Sequence, residues 1–340
     1  MTIRFTPLSA AAILLLCSSL QVAAAADGPQ GNYDNSPAGK ALIDTLQKDN
    51  NVAPSTSRAL LADAKYQPGI IAKMRKPAEK TMTWARYRPI FVQTDRARKG
   101  AAYIEAHRAL FEAAQAKYGV PTWMIAAILG VETSYGGFIG RDRVLDALAT
   151  LAFDYPERSP FFTKELQQFI SLCVGEQLDC RKDIGSYAGA MGVAQFMPSS
   201  YAAYAVDGND DGKRDLWDEP ADIIYSVANY LARHGWQRGA PVAQQANVAG
   251  AHDLNSLDIN TRQAAYSWQA LADAGVEVAS APPAQTRVGL LRLDGAQGSE
   301  YWVAENNFFV IMRYNTSPLY AMAAYQLGRE IHAYTQPGLD

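Results

Sequence analysis

The spacing of hydrophobic and polar positions changes several times along this 340-residue chain, and one stretch stands apart from the rest. Residues 122–131 carry no charge, follow Pro121, and end at Glu132, the first ionisable group. Proline suits the first turn of a helix, and an uncharged run of that length predicts a helix buried on nearly every side. Helical periodicity also covers residues 40–48, 58–65 after the start signal Pro54-Ser55-Thr56-Ser57, and 70–75. Residues 94–118 read as one long amphipathic helix with Tyr103, Ala106, Leu110, Ala113 and Ala114 on one face, stopped by Gly119. Further helices are predicted over 143–153, 161–173, 221–235 and 319–334, while residues 80–91 are aromatic and basic, with Trp84, Arg86, Tyr87, Arg88 and Phe91.

Between residues 240 and 311 the texture changes. Residues 244–250, 287–293 and 300–311 read as strands separated by Gly and Pro clusters, with one helix predicted at 260–274. The whole is an α+β chain, mainly α-helical, with a small β module placed before a C-terminal helix. The expected divisions are a segment 1–26, a flexible lead-in 27–39, a helical region 40–100, a central core 101–239, the β module 240–311 and a return to the core at 312–340.

Three stretches carry candidate chemistry. A carboxylate at the end of an apolar helix is either paired with a cation or pushed toward its neutral form, so Glu132 is a candidate general acid, with a solvated helix end as the plain alternative. Residues 185–198 interleave glycine and small residues with Ser186, Tyr187, Met191 and Gln195, a composition that lets backbone approach a ligand closely. Residues 207–218 place Asp207, Asn209, Asp211 and Asp215 at positions 1, 3, 5 and 9, Gly212 at 6, the Lys213 carbonyl at 7 and Asp218 at 12, the wrap of a calcium loop. Asp218 is shorter than the usual closing Glu, and Asp222 is the other candidate for that position.

Segment 1–26 joins Arg4, an apolar run ending in Leu14-Leu15-Leu16, and Ala23 to Ala26 before Asp27, which reads as a cleaved secretory signal. Leu16 before Cys17 is not the small residue that lipid attachment wants, so no membrane anchor is expected. Export predicts an oxidising compartment, where Cys173 and Cys180 would close a small disulfide loop, two free thiols being the alternative. The net charge of −3 and the lack of a basic block argue against nucleic acid as a partner. The four histidines are scattered, which leaves little support for a histidine metal site or catalytic pair.

Glu132-Thr133-Ser134-Tyr135-Gly136, then residues 145–151 with Tyr155-Pro156, then Gly185-Ser186-Tyr187-Ala188-Gly189-Ala190-Met191-Gly192 with Gln195-Phe196-Met197-Pro198, closely resemble the lytic murein transglycosylase B family, glycoside hydrolase family 103. Residues 226–230 and Arg313-Tyr314-Asn315 extend the match across most of the mature chain. The resemblance implies a monomeric periplasmic enzyme with a lysozyme-like core, acting on peptidoglycan glycan strands. It would cleave the β-1,4 bond between N-acetylmuramic acid and N-acetylglucosamine and leave a 1,6-anhydromuramyl end. It puts Glu132 on the single acid/base, and Ser186, Gln195, Tyr230, Tyr314, Asn315, Tyr320 and Tyr87 on the cleft wall. Arg158 falls on a position that meets the peptide stem, and Asp222 on the last calcium ligand. Calcium would be structural, with no cofactor for the chemistry. Two departures stand out: Glu157 occupies a position where the family often has a second Arg, and residues 217–220 are one residue longer.

Most glycosidases need two carboxylates. No second acid after Glu132 is convincing here: of Asp142, Asp146 and Asp154, Asp146 lies inside an apolar helix, where a structural bond is expected. Two other readings remain at this point, a hydrolytic muramidase with an unidentified second acid and a non-catalytic wall-binding protein.

Overall fold

The computed structural model describes residues 31–75, 82–176, 178–248, 254 and 257–335, so the segment read as a secretory signal lies outside the described residues. Helices α1 (Pro37–Asn50), α2 (Pro54–Asp63), α3 (Pro68–Met74) and α4 (Trp84–Phe91) precede α5 (Thr94–Ala106) and α6 (Arg108–Tyr118). The apolar run becomes α7 (Thr122–Thr133). Strand β1 (Asp142–Arg143) leads into α8 (Val144–Asp154) and α9 (Ser159–Gly175), and β2 (Ile184–Gly185) opens the glycine-rich loop, followed by α10 (Pro198–Tyr204) and α11 (Pro220–Arg233). The β module holds β3 (Ala243–Val248), β4 (Tyr266–Ser267), α12 (Trp268–Asp273), β5 (Val276–Val278), β6 (Arg287–Gly295) and β7 (Gly298–Ala304). Helices α13 (Asn306–Tyr314) and α14 (Pro318–Thr335) complete the chain's described part. Proline stands in the first turn of α1, α2, α3, α9, α10 and α11, where its missing N–H costs nothing.

Helix α7 is the centre of this architecture. Every residue from Met124 to Val131 is buried, and α5, α6, α11 and α14 pack around it. Glycines let two of these contacts close: a Cβ on Gly328 of α14 would meet the Trp123 ring at 2.6 Å, and one on Gly130 would meet Tyr135 Oη at 2.5 Å. Tyr135 Oη donates to the Arg96 carbonyl at 2.9 Å, tying the end of α7 to α5. The N-terminal helices share this continuous hydrophobic core with α7 to α11, α13 and α14, whereas Ala246, Trp268, Leu271, Val276, Val288, Leu290 and Val303 form a separate small core inside the module. That module is an antiparallel sheet of order β4-β6-β7-β3-β5, with Leu291 opposite Trp302 and Gln245 opposite Trp302 on the other side. Cys173 and Cys180 are bonded, with Cα atoms 5.7 Å apart.

Four expectations need correction. The stretch 27–39 is not all a loose lead-in: Tyr33 is fully buried, stacks on Phe153 and donates to Asp154 Oδ2 at 2.8 Å, and Ser36 caps α1, which begins at Pro37. The predicted helix 94–118 is two helices, because His107 leaves helical geometry at φ −122 and ψ 29. Ile104 and Phe111 lie seven residues apart, so the pattern of buried positions passes through the break unchanged. The strand read over 300–311 ends at Ala304, and Phe308 to Met312 belong to α13, where burial on several sides lets an aromatic and β-branched run be helical. The helix read at 260–274 shrinks to α12, because Asn260 takes a left-handed turn with φ 60 and its side chain bonds the Arg292 N–H and carbonyl.

Gly130→Ala puts a methyl into the Tyr135 hydroxyl. Helix propensity gains about 1 kcal/mol by this change, but overpacking costs roughly 1–3 kcal/mol. Thermal unfolding is therefore expected to show a net loss of stability, and an unchanged or raised Tm would contradict the packing described.

Candidate active site

Glu132 sits in the last turn of α7, half-buried, where the chain reverses through three successive left-handed residues, Ser134 (φ 52), Tyr135 (φ 62) and Gly136 (φ 83). Such backbone is costly for residues with a side chain and persists only where the surroundings hold it. Thr133 does the holding. Its buried hydroxyl donates to the Val193 carbonyl at 3.0 Å and accepts the Gly136 N–H at 3.0 Å, joining the end of α7 to the glycine-rich loop.

One partner of the carboxyl comes from the far end of the chain. Tyr320 Oη, on α14, donates to Glu132 Oε1 at 2.5 Å. The phenol is held well above its ordinary pKa, first by burial and then by the negative charge of Glu132, so it remains a donor at any working pH. Tyr314 and Tyr230 are raised as well, by burial first, and both feel the Glu132 charge. Their rings lie 4.7 Å apart and both contact Phe196. Each hydroxyl is spent on backbone: Tyr314 Oη donates to the Ala194 carbonyl at 2.7 Å, and Tyr230 Oη to the Arg313 carbonyl at 2.6 Å. These two tyrosines therefore build the wall, while Tyr320 addresses the acid. Tyr87 is buried on α4 against Phe91 and is close enough to Tyr320 to add to its shift.

On the opposite side the glycine-rich loop is rigid. Short bridges join Gly185 to Met191 and Met191 to Phe196, and Gly189 and Gly192 both take positive φ. A Cβ on Gly189 would strike Leu148, and one on Gly192 would strike the Leu216 carbonyl. Gln195 has φ 50 and is held there by its own amide, which donates to the Gly192 carbonyl at 2.8 Å and the Ile139 carbonyl at 3.1 Å. Its Oε1 is an acceptor that neither of these bonds uses. Ser186 Oγ accepts the Ala188 and Ala190 N–H groups, so its own hydrogen remains to donate. Asn315 Oδ1 accepts the Ser317 N–H at 3.0 Å, fixing the turn that brings Tyr314 and Tyr320 together.

The structure thus gathers Glu132, Tyr320, Tyr314, Tyr230 and Tyr87 around one point, and ties the Gln195 and Ser186 loop to it through Thr133 and Tyr314. Arg158 is different. It is exposed in a short turn before α9, its guanidinium lying over Phe161 at 4.5 Å and Phe162 at 5.0 Å, and no described contact joins it to the Glu132 group. The other acids near Glu132 in sequence have structural partners. Asp146 Oδ1 accepts Lys65 N–H at 2.8 Å and Arg143 at 2.6 Å, Asp154 accepts Tyr33, and Asp142 lies 3.5 Å from Lys73. Thr133 and Tyr135 were not singled out from sequence; a hydroxyl beside the acid at the end of an apolar helix was the available signal.

In the Asp-rich loop the side chains hold the loop's own backbone. Asp207 accepts the N–H groups of Asp211 and Gly212, Asn209 Oδ1 accepts Asp211 N–H, and Asp211 accepts Lys213 N–H. Asp222, 1% exposed, accepts Gly208 N–H at 2.7 Å and Asp215 N–H at 2.6 Å, whereas Asp218 is exposed. Among the described residues no three acidic, histidine or cysteine side chains gather into an ion site. The donor chemistry still fits calcium: the loop offers only oxygen, from Asp207, Asn209, Asp211 and the Lys213 carbonyl, around Gly212 at φ 87. Of the two closing candidates, Asp222 is the one bonded into the loop.

Comparisons with known proteins agree with this geometry. Residues 35–329 match the family model described as the transglycosylase SLT domain. The chain is 38% identical over 310 residues to the membrane-bound lytic murein transglycosylase B of Escherichia coli strain K12, covering 88% of this chain and 84% of that protein. Among solved structures, the catenated lytic transglycosylase SltB1 from Pseudomonas aeruginosa superposes with a TM-score of 0.85 at 39% identity, over 90% of this chain and 100% of that one. The Escherichia coli lytic transglycosylase Slt35 in complex with calcium gives a TM-score of 0.80 at 38% identity, over 90% and 96%.

Thr133→Val keeps the shape but leaves the Val193 carbonyl and the Gly136 N–H unpartnered. An unsatisfied buried group costs about 1–3 kcal/mol, so urea unfolding should show a loss of that order; a variant as stable as the parent would remove Thr133 from its bracing role.

Proposed function

The chain belongs to the transglycosylase SLT domain family and is a lytic murein transglycosylase, and on that footing we propose that Glu132 is its single acid and base, acting on peptidoglycan strands laid between the glycine-rich loop and the tyrosine wall. The observation that carries this is the bond from Tyr320 Oη to Glu132 Oε1, which sets a permanent donor on the carboxyl at the end of the buried helix. Glu132 gives its proton to the oxygen between the muramyl and glucosaminyl units as the bond to the muramyl anomeric carbon breaks. The sugar's own acetamido oxygen, or charge spread over the ring oxygen, supports the cation that develops. Glu132, now a carboxylate steadied by the Tyr320 hydroxyl, takes the proton of the muramyl 6-hydroxyl as that oxygen closes on the anomeric carbon. One proton leaves Glu132 and one returns, so no second carboxylate and no water enter the cycle. Gln195 Oε1, the Ser186 hydroxyl and Asn315 orient the ring for the internal attack.

Around this centre the chain reads as an exported, monomeric periplasmic enzyme, carried out by segment 1–26. Among the described residues no helix is long and apolar enough to cross a membrane. Asp207, Asn209, Asp211, the Lys213 carbonyl and Asp222 would hold a calcium ion that stiffens the loop against α11 and takes no part in the chemistry. Arg158, exposed before α9, would meet the peptide of the strand.

Glu132→Gln keeps the side-chain shape and removes the proton. Release of soluble fragments from purified sacculi should fall by a factor of roughly a thousand or more with an unchanged Tm, and retention of even a tenth of the activity would remove Glu132 from its role. If calcium clamps the loop, chelation should lower the Tm of the parent, and calcium at a hundred times its Kd should add about 2.7 kcal/mol of stability. Asp207→Ala should be indifferent to both treatments; a parent that is equally indifferent would refute the clamp.

A further inference from the structure

Where the β module meets the catalytic core, behind Tyr230, lies a cavity of about 520 Å³. Its lining is rich in arginine: Arg262 and Arg287 come from the module and Arg313 from the core, against Glu305 as the one acid among the described lining residues. Arg287 is committed to the structure, donating to the Ala264 and Ala265 carbonyls at 2.8 Å each. The guanidinium groups of Arg262 and Arg313, both on exposed residues, make no hydrogen bond or ion pair with any described residue. Three guanidinium groups around one cavity outnumber its single carboxylate, and their planar fork matches a further carboxylate. The cavity is of a size that takes a small ligand or part of a larger one.

It also adjoins the cleft. The His234 ring stacks on Tyr230 at 4.1 Å, and Tyr230 feels both the positive charge of Arg313 and the negative charge of Glu132. One aromatic ring therefore separates the cavity from the cleft wall. A peptide of four or five residues attached to a sugar in the cleft spans at most about 13–18 Å, enough to pass around that ring.

We propose that this cavity is a carboxylate-binding subsite for the acidic peptide carried by the muramyl unit, with Arg262 and Arg313 as its ligands. The assignment rests on the reading that the Glu132 cleft takes peptidoglycan. It places peptide recognition behind Tyr230, on the seam with the β module, in addition to any contact made by Arg158.

The test uses the full chain and two substrates, glycan strands with their peptides and the same strands after the peptides have been cut away by amide cleavage. Arg262→Glu should raise KM for the peptide-bearing strands about tenfold or more, leave kcat within about twofold, and leave both constants unchanged on the stripped strands. In calorimetry the released tetrapeptide should bind Glu132→Gln, more weakly as salt rises, and fail to bind Glu132→Gln/Arg262→Glu. That arm reads the subsite even if the cleft proves to have no such activity. Equal losses on both substrates, no change on either, or no binding of the tetrapeptide would each overturn the proposal.

Discussion

The bond between the Tyr320 hydroxyl and Glu132 joins residues 188 positions apart, and much of the architecture serves to make it. The carboxyl must be dry enough to carry a proton and close enough to a donor to survive as an anion. A helix end at the surface could not offer both. Burial of Met124 to Val131 by α5, α6, α11 and α14 serves the first requirement, bringing an apolar helix up to the half-buried Glu132. Bringing α14 across the end of α7 solves the second. The close approach of those two helices depends on Gly328 lying against Trp123, so the position of Tyr320 is fixed by packing well away from the acid.

The second wall depends on the same point from the other side. Thr133 fastens the glycine-rich loop to the residue next to Glu132, and Tyr314 fastens it again through the Ala194 carbonyl. With both fasteners in place Gln195 is held in a strained backbone conformation, which costs about 1–3 kcal/mol and is offset by its two amide bonds. Nearby acids are withdrawn from the chemistry by structural work: Asp146 bridges Lys65 and Arg143, and Asp154 fixes Tyr33. In the proposed mechanism one carboxylate and one phenol stand where most glycosidases have two carboxylates.

Much of this was legible in the sequence where the cause was local. The uncharged run after Pro121 announced a buried helix because nothing in it could face water, and the spacing of Cys173 and Cys180 allowed the bond that forms. Alternation and glycine clusters located the β module. What stayed illegible depended on distant partners. Tyr33 looked like part of a loose leader because its anchor, Asp154, lies 121 residues away. The run Phe308-Phe309-Val310-Ile311 has the composition of a strand, and only its surroundings make it helical. His107 breaks a helix without disturbing the period on either side. No periodicity could pair Glu132 with Tyr320; their shared site was reached through motifs that resemble a known family, and the bond itself only from the structure. The same resemblance placed Arg158 among the binding residues, and in the structure its guanidinium lies over Phe161 and Phe162.

The central claim is that one carboxylate, supported by a tyrosine, serves as acid and then as base while water stays outside the cycle. Mass spectrometry of the fragments released from sacculi in ¹⁸O-water tests it most directly. The account predicts muramyl ends that are one water lighter than hydrolysis products and carry no ¹⁸O. Reducing muramyl ends bearing ¹⁸O as the main product would contradict it and require a second acid that activates water.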